Sequence, residues 1–322
     1  VLKLTKDRVI WARRRRVLRV IPALAAAAIT VREQRADARE EIQPHQISAT
    51  IEEDGIGKQN VSESVRVSRI FQSGSVEIEA QIDGDGSPFV ILPSYGRDAG
   101  KDFDDISKRL VTAGWMVVRP QPRGIGKSSG AMAGVTLHDL ADDVALVLRS
   151  LGRGPAVVLG HAYGNLVTRV LATDHPELVK AAVLAAAQAS RVAPDVAATP
   201  FIAGDTSAPE ATRLKALRRA FFAPDHDPHI WLSGWYPETL RMQHIAAQAT
   251  SQNTYWACGS VPILEIIAEY DPFKPKESWK DLHEQLGDRV TTRVVSDAAH
   301  ALFPEQPDAV SDSLLPWTKG YL

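Results

Sequence analysis

One short run constrains this chain more than any other: Val157-Val158-Leu159-Gly160-His161-Ala162-Tyr163-Gly164-Asn165. An apolar stretch of strand character enters it, and a helix-forming run, Leu166 to Ala172, leaves it. Glycines at both ends of a three-residue apex let the backbone reverse sharply without Cβ clashes. A strand that turns straight into a helix is the first half of a βαβ unit, so the run predicts a parallel sheet rather than hairpins throughout.

The surrounding chain agrees. Two alternating stretches, Arg66–Phe71 and Ser75–Ile82, meet across Gln72-Ser73-Gly74 and read as a β-hairpin. Phe89-Val90-Ile91-Leu92 is continuously apolar, as expected of a strand buried on both faces. Strand and helix then alternate. Phe103 to Ala113 is helical, with Phe103, Ile106, Leu110 and Val111 on one face, and Trp115–Val118 is a strand. Thr136 and Asp139 form a capping signature before a second helix spaced by Leu137, Leu140, Ala141, Val144 and Leu148. Further strands are expected at Ala156–Leu159, Val179–Ala186, Ile263–Ile267 and Val290–Val295, with a helix near Ser278–Leu286. This order predicts an α/β fold: a mostly parallel sheet flanked by helices, with right-handed crossovers.

Between residues 190 and 260 the alternation stops. The segment is rich in alanine, proline, arginine and large aromatics, and is helical over Glu210–Phe222 and Pro237–Ala247. It is expected to be a helical cap inserted into the core, one face packed and the other turned toward a pocket. The expected organisation is therefore a core over 66–189 and 261–322, with a cap over 190–260.

Residues 1–38 carry ten Lys/Arg against three Asp/Glu, a net of +7, and the remaining residues total −9. Arg13 to Arg16 precede an uncharged alanine-rich run, Val20 to Val31, and Ala36-Asp37-Ala38 looks like a cleavage site. Arg14-Arg15-Arg16-Val17-Leu18 resembles a twin-arginine signal, so 1–38 is expected to be a signal peptide and the protein periplasmic, with cytoplasmic residence as the alternative. Residues 39–65 are polar and read as a lead-in. A body of negative charge argues against a nucleic-acid partner. No run of 18 apolar residues is present to span a membrane. The single cysteine, Cys258, forms no internal disulfide. Asp225-His226-Asp227-Pro228-His229 holds ligand-type side chains without metal-site spacing, and no metal or cofactor is expected. The expected partner is a small-molecule substrate, and no oligomeric state is implied.

Four stretches, in order, resemble the α/β-hydrolase superfamily. Leu92-Pro93-Ser94-Tyr95-Gly96-Arg97 stands where that superfamily has a His-Gly oxyanion loop. Arg119-Pro120-Gln121-Pro122-Arg123-Gly124-Ile125-Gly126-Lys127-Ser128 resembles a scaffold loop, with Gln121 in place of Asp. Gly160-His161-Ala162-Tyr163-Gly164 resembles the Gly-x-Ser-x-Gly nucleophile elbow, with Ala162 at the serine position. Glu269-Tyr270-Asp271-Pro272 and Asp297-Ala298-Ala299-His300 each follow a strand, as the loops bearing the triad acid and histidine do.

The resemblance implies His300 as a base, oriented by Asp271, with backbone N–H groups of Gly96 and Tyr163 stabilising an oxyanion; Tyr95 is the other candidate donor in the first loop. It also implies an insert over the pocket, making Tyr95, Ser94, Trp231 and Trp235 candidate substrate contacts. An imidazole moves protons near neutral pH, and a buried carboxylate fixes its tautomer. What is missing is the attacking oxygen. Ala162 is either an engineered Ser→Ala change or a native alanine, and a triad without its serine retains only about 10³–10⁴-fold catalysis over water. The expectation is a hydrolase-type reaction on a small apolar ester, lactone or amide. The alternatives are a cofactor-free lyase, isomerase or oxygenase using the same base, and a ligand-binding pseudo-enzyme.

Overall fold

A computed structural model describes residues 66–322. The expected signal peptide and lead-in lie outside the described residues. Eight strands form one sheet: β1 (Val67–Ser73), β2 (Val76–Asp83), β3 (Ser87–Leu92), β4 (Trp115–Pro120), β5 (Ala156–His161), β6 (Val179–Ala185), β7 (Ile263–Ala268) and β8 (Val290–Val295). Their order is β1-β2-β4-β3-β5-β6-β7-β8. The β1–β2 and β2–β4 pairs are antiparallel and the rest are parallel. The sheet is the mostly parallel one that the alternation implies.

Helices α1 (Asp104–Thr112), α2 (Leu137–Leu151) and α3 (Gly164–Asp174) connect the first strands. The expected capping box opens α2: Asp139 N–H donates to Thr136 Oγ1, and Thr136 N–H donates to Asp139 Oδ2 at 2.8 Å. Four helices lie between β6 and β7: α4 (Pro194–Ala197), α5 (Thr199–Gly204), α6 (Glu210–Ala220) and α7 (Pro237–Ala249). This is the helical cap, inserted before the strand that leads to Asp271. The chain then adds α8 (Asp281–Leu286), α9 (Leu302–Glu305) and α10 (Pro307–Thr318). The sequence pattern had not marked α10.

Apolar side chains pack on both faces of the sheet. Val90, Val118, Val158 and Leu184 point to one face, toward α2 and α3, and Phe89, Val117, Leu159 and Val183 to the other, toward α1 and α10. This two-sided burial explains why these strands are continuously apolar. The insert has its own cluster, built from Leu217, Phe221, Trp231, Trp235 and Leu240, and it reaches down to Phe273 and Ala301. Among the described residues, no helix is long and apolar enough to cross a membrane.

The connection from β3 runs to β4 on one side, while β5 pairs with β3 on the other, with Leu92 opposite Gly160. The winding therefore changes direction between β3 and β5, leaving a crevice beyond the strand ends, where ligands bind in open α/β sheets. The Pro93–Gly96 loop and the Gly160–Gly164 turn both emerge there.

Candidate active site

The turn after β5 is as sharp as its glycines suggest. A Cβ on Gly160 would lie 2.4 Å from the carbonyl of Gly164, and one on Gly164 would lie 2.4 Å from the carbonyl oxygen of Leu92. Neither contact is sterically possible, so both positions require glycine. Ala162, at the apex, has φ of 49°, in the left-handed region that non-glycine residues seldom occupy. The turn is pinned from below: Ala162 N–H donates to the Ala185 carbonyl at 3.0 Å, and Asn165 Nδ2 donates to the carbonyls of Ala162 and Ala185. The apex thus keeps its strained conformation although its side chain is a methyl group.

The loops after β7 and β8 bring Asp271 and His300 together. Asp271 Oδ2 lies 2.9 Å from His300 Nδ1, and both side chains are buried. Asp271 Oδ1 accepts the N–H of Phe273 at 2.9 Å, which fixes the carboxylate plane. An ionised carboxylate only accepts, so the proton of a neutral His300 is on Nδ1 and Nε2 is the free base. The ring is held between Phe273 and Phe221, with centroids 4.4 and 5.5 Å away.

The histidine loop is fastened from two directions. His161 Nε2 donates to the His300 carbonyl at 2.7 Å. Burial drives the His161 pKa down to about 3, with His300 and Arg97 adding to the effect, so this imidazole is neutral. Glu305, also buried, accepts Ala299 N–H through one oxygen and Ala223 N–H of the insert through the other. Burial pushes its carboxyl up, opposed by these two N–H groups. Ala301 N–H donates to Phe221 of the insert at 2.8 Å.

A cavity of about 420 Å³ opens above the apex. Ser94, Tyr95, Ala162, Tyr163, Phe221 and His300 line its inner end. The backbone N–H groups of Tyr95 and Tyr163 have no hydrogen-bond partner among the described residues.

The model of the family described as "alpha/beta hydrolase fold" matches residues 87–307, which contain every feature above. The chain belongs to the α/β-hydrolase family. Among solved α/β-hydrolase-like structures, an esterase from Exiguobacterium antarcticum superposes with a TM-score of 0.66 at 20% identity, covering 78% of this chain and 98% of that one. Among curated relatives, pyrrolizixenacetamide deacetylase from Xenorhabdus hominickii is 28% identical over 34% of this chain. The 2-(acetamidomethylene)succinate hydrolase from Mesorhizobium japonicum is 26% identical over 36% of it. The chain spans 41% of the length of each of these two relatives.

Within this α/β-hydrolase, the expected site residues divide. Ala162, Tyr163, Asp271 and His300 come together, and Tyr95 and Ser94 line the same cavity. Gly96, an expected oxyanion donor, has its N–H engaged: it donates to Gln243 Oε1 of α7 at 2.7 Å. Trp231 and Trp235 also depart from expectation. They do not line the cavity but pack inside the insert, with the Arg97 guanidinium 4.1 Å from the Trp231 ring centroid. That cation–π contact and the Arg97–Asp102 ion pair explain their placement. Arg123 is scaffold, as its loop suggests: its Nε and Nη2 each donate to Asp143 at 2.7 Å.

Two pocket residues, His244 and Arg169, had no motif to mark them, whereas Phe201 and Trp256 are among the large aromatics of the insert. His244 of α7 lines the cavity, with Nδ1 3.1 Å from Tyr95 Oη. Phe201, Trp256 and Arg169 line it as well. Only helical spacing within α3 could have pointed to Arg169, which follows Asn165 by one turn.

Proposed function

We propose that this protein hydrolyses a small ester, lactone or amide by general-base activation of water, without an acyl-enzyme. The buried Asp271–His300 pair, with His300 lining the cavity and its Nε2 unpartnered among the described residues, carries this reading. His300 Nε2 takes a proton from a water positioned over Ala162, where the methyl group leaves the space a serine oxygen would fill. That water attacks the carbonyl carbon. The N–H groups of Tyr163 and Tyr95, rather than Gly96, hold the developing oxyanion, because both are uncommitted among the described residues and both residues line the cavity. Each such donor contributes about 3–4 kcal/mol in comparable sites. The imidazolium, stabilised by Asp271, then returns the proton to the leaving group. Relatives named a deacetylase and an esterase support acyl-bond cleavage.

Replacing His300 with Ala and measuring hydrolysis of activated esters and lactones tests the base. The expected loss is at least about 10²-fold, and unchanged turnover would sink the proposal. Ala162→Ser is the complementary test. The backbone already holds the elbow conformation, so the added hydroxyl should give a pre-steady-state burst of acyl-enzyme that the parent chain lacks. A burst in the parent would show that another residue is the nucleophile.

A further inference from the structure

Among the described residues, five arginines are buried: Arg97, Arg119, Arg123, Arg169 and Arg213. Arg97, Arg119 and Arg123 pair with carboxylates. Arg213 places Nε and Nη2 on the carbonyls of Ala203 and Leu232. Arg169 of α3 is different. It is 2% exposed, yet its one hydrogen bond is from Nη1 to the Trp256 carbonyl, and its guanidinium lies 4.2 Å from the Trp256 ring centroid. Among the described residues, Nε and Nη2 have no partner, and no carboxylate is within ion-pairing distance. These two atoms are not sealed off, as the Nε of Arg119 is; Arg169 lines the main cavity and also a smaller adjoining pocket lined by Glu265, Lys274 and Asp281.

Nε and Nη2 form the side-on fork of a guanidinium, which matches the two oxygens of a carboxylate. This molecule uses that fork on Asp143, through Arg123, with both distances at 2.7 Å. A buried acid, Glu265, attracts Arg169 through space but lies beyond ion-pairing distance of it, and its Oε1 is 2.9 Å from Lys274 Nζ. The lining of the main cavity includes no Asp or Glu, and Arg169 is its one fixed charge among the described residues. Gln188 and Ser190 border it with neutral polar groups. A buried cation with an open fork is costly unless an anion completes it.

We propose that Arg169 is an anion seat, and that the substrate carries a carboxylate which docks on its Nε/Nη2 fork. The idea rests on the reading of this cavity as the substrate site. Arg169 stands seven residues beyond the apex, about 10 Å at helical rise. Less the reach of the side chain, this suits a short chain of a few carbons between the reacting carbonyl and the carboxylate.

Calorimetric titration of the full chain with glutarate and, in parallel, with neutral glutaramide tests this without any variant. Glutarate should bind at least about tenfold more tightly than the diamide, and 0.5 M salt should narrow the gap. Arg169→Gln should abolish the preference and Arg169→Lys should keep part of it, with circular dichroism confirming that both fold. Equal affinity for acid and amide in the parent chain, or failure of both to bind, overturns the proposal. So does an acid preference that survives in folded Arg169→Gln. The same titration in His300→Ala separates the two readings. If hydrolysis is indifferent to His300 while the acid preference persists, the catalytic proposal falls and the anion seat stands.

Discussion

The floor of the pocket and its roof are held by different means. The floor consists of the strand ends and the loops after β5, β7 and β8. It is fixed by backbone hydrogen bonds and by glycines that no other residue can replace, such as Gly160 and Gly164. The roof is the insert, fastened mainly by side chains, such as Tyr163 Oη on the Gln243 carbonyl and Thr239 Oγ1 on the Arg123 carbonyl, with a few backbone bonds, Ala301 N–H to Phe221 and Tyr236 N–H to Gly96 among them. Some of its apolar side chains face outward, including Phe201 at 37% and Ile245 at 54% exposure. The floor tolerates almost no change of shape, whereas the roof can exchange side chains at modest cost.

Substitutions sharpen this contrast. The largest effect is expected on the floor. Gly164→Ala forces a Cβ to within 2.4 Å of the Leu92 carbonyl oxygen, and the loss should be at least about 3 kcal/mol in a urea melt. A loss below about 1 kcal/mol would show that the turn yields and the contrast is false.

The junction between floor and roof should respond to acid. His161 is held neutral in the fold, with its pKa lowered to about 3 from 6.5. The native state therefore binds fewer protons than the unfolded chain between those values. Its stabilising contribution is complete above pH 6.5 and is lost as pH falls toward 3. Between pH 7 and pH 5 this amounts to about 2 kcal/mol. His161→Gln, which keeps a donor for the His300 carbonyl, should flatten that part of the pH profile. An unchanged slope would assign the acid sensitivity to other groups.

The smallest effect on stability is expected on the roof. Phe201→Ala should cost less than about 1 kcal/mol, since the ring is already partly exposed. It should raise KM several-fold and leave kcat nearly unchanged, because the ring touches Tyr95 and His244 rather than the base. A fall in kcat matching that of His300→Ala would place the roof in the chemistry and break the comparison.

The two regions were also unequally legible in the sequence. Strand–turn–helix periodicity placed the sheet and the elbow, and the family resemblance then marked Asp271 and His300, each of which follows an apolar strand. The roof's contacts arise from residues far apart in the chain. Gln243 reaches Gly96 across 147 positions and His244 reaches Tyr95 across 149, and no spacing rule announces either. For that reason sequence alone left Gly96 and Tyr95 both open as donors in the first loop. The tryptophans misled for a related reason: an aromatic reads the same in sequence whether it faces a ligand or, like Trp231, an arginine within the insert. Arg169 was silent because a helix surface and a helix face over a cavity share one periodicity.

The left-handed backbone of Ala162 has one more consequence. The pinned turn, not the side chain, sets the conformation at this site, so tolerance at position 162 follows backbone preference before chemistry. Glycine and asparagine fit such an apex readily, while valine and isoleucine do not. A library randomised at this codon would sort first by branching at Cβ and only then by nucleophilicity. Serine is compatible with the same backbone, which puts this chain a single oxygen atom away from a different catalytic cycle.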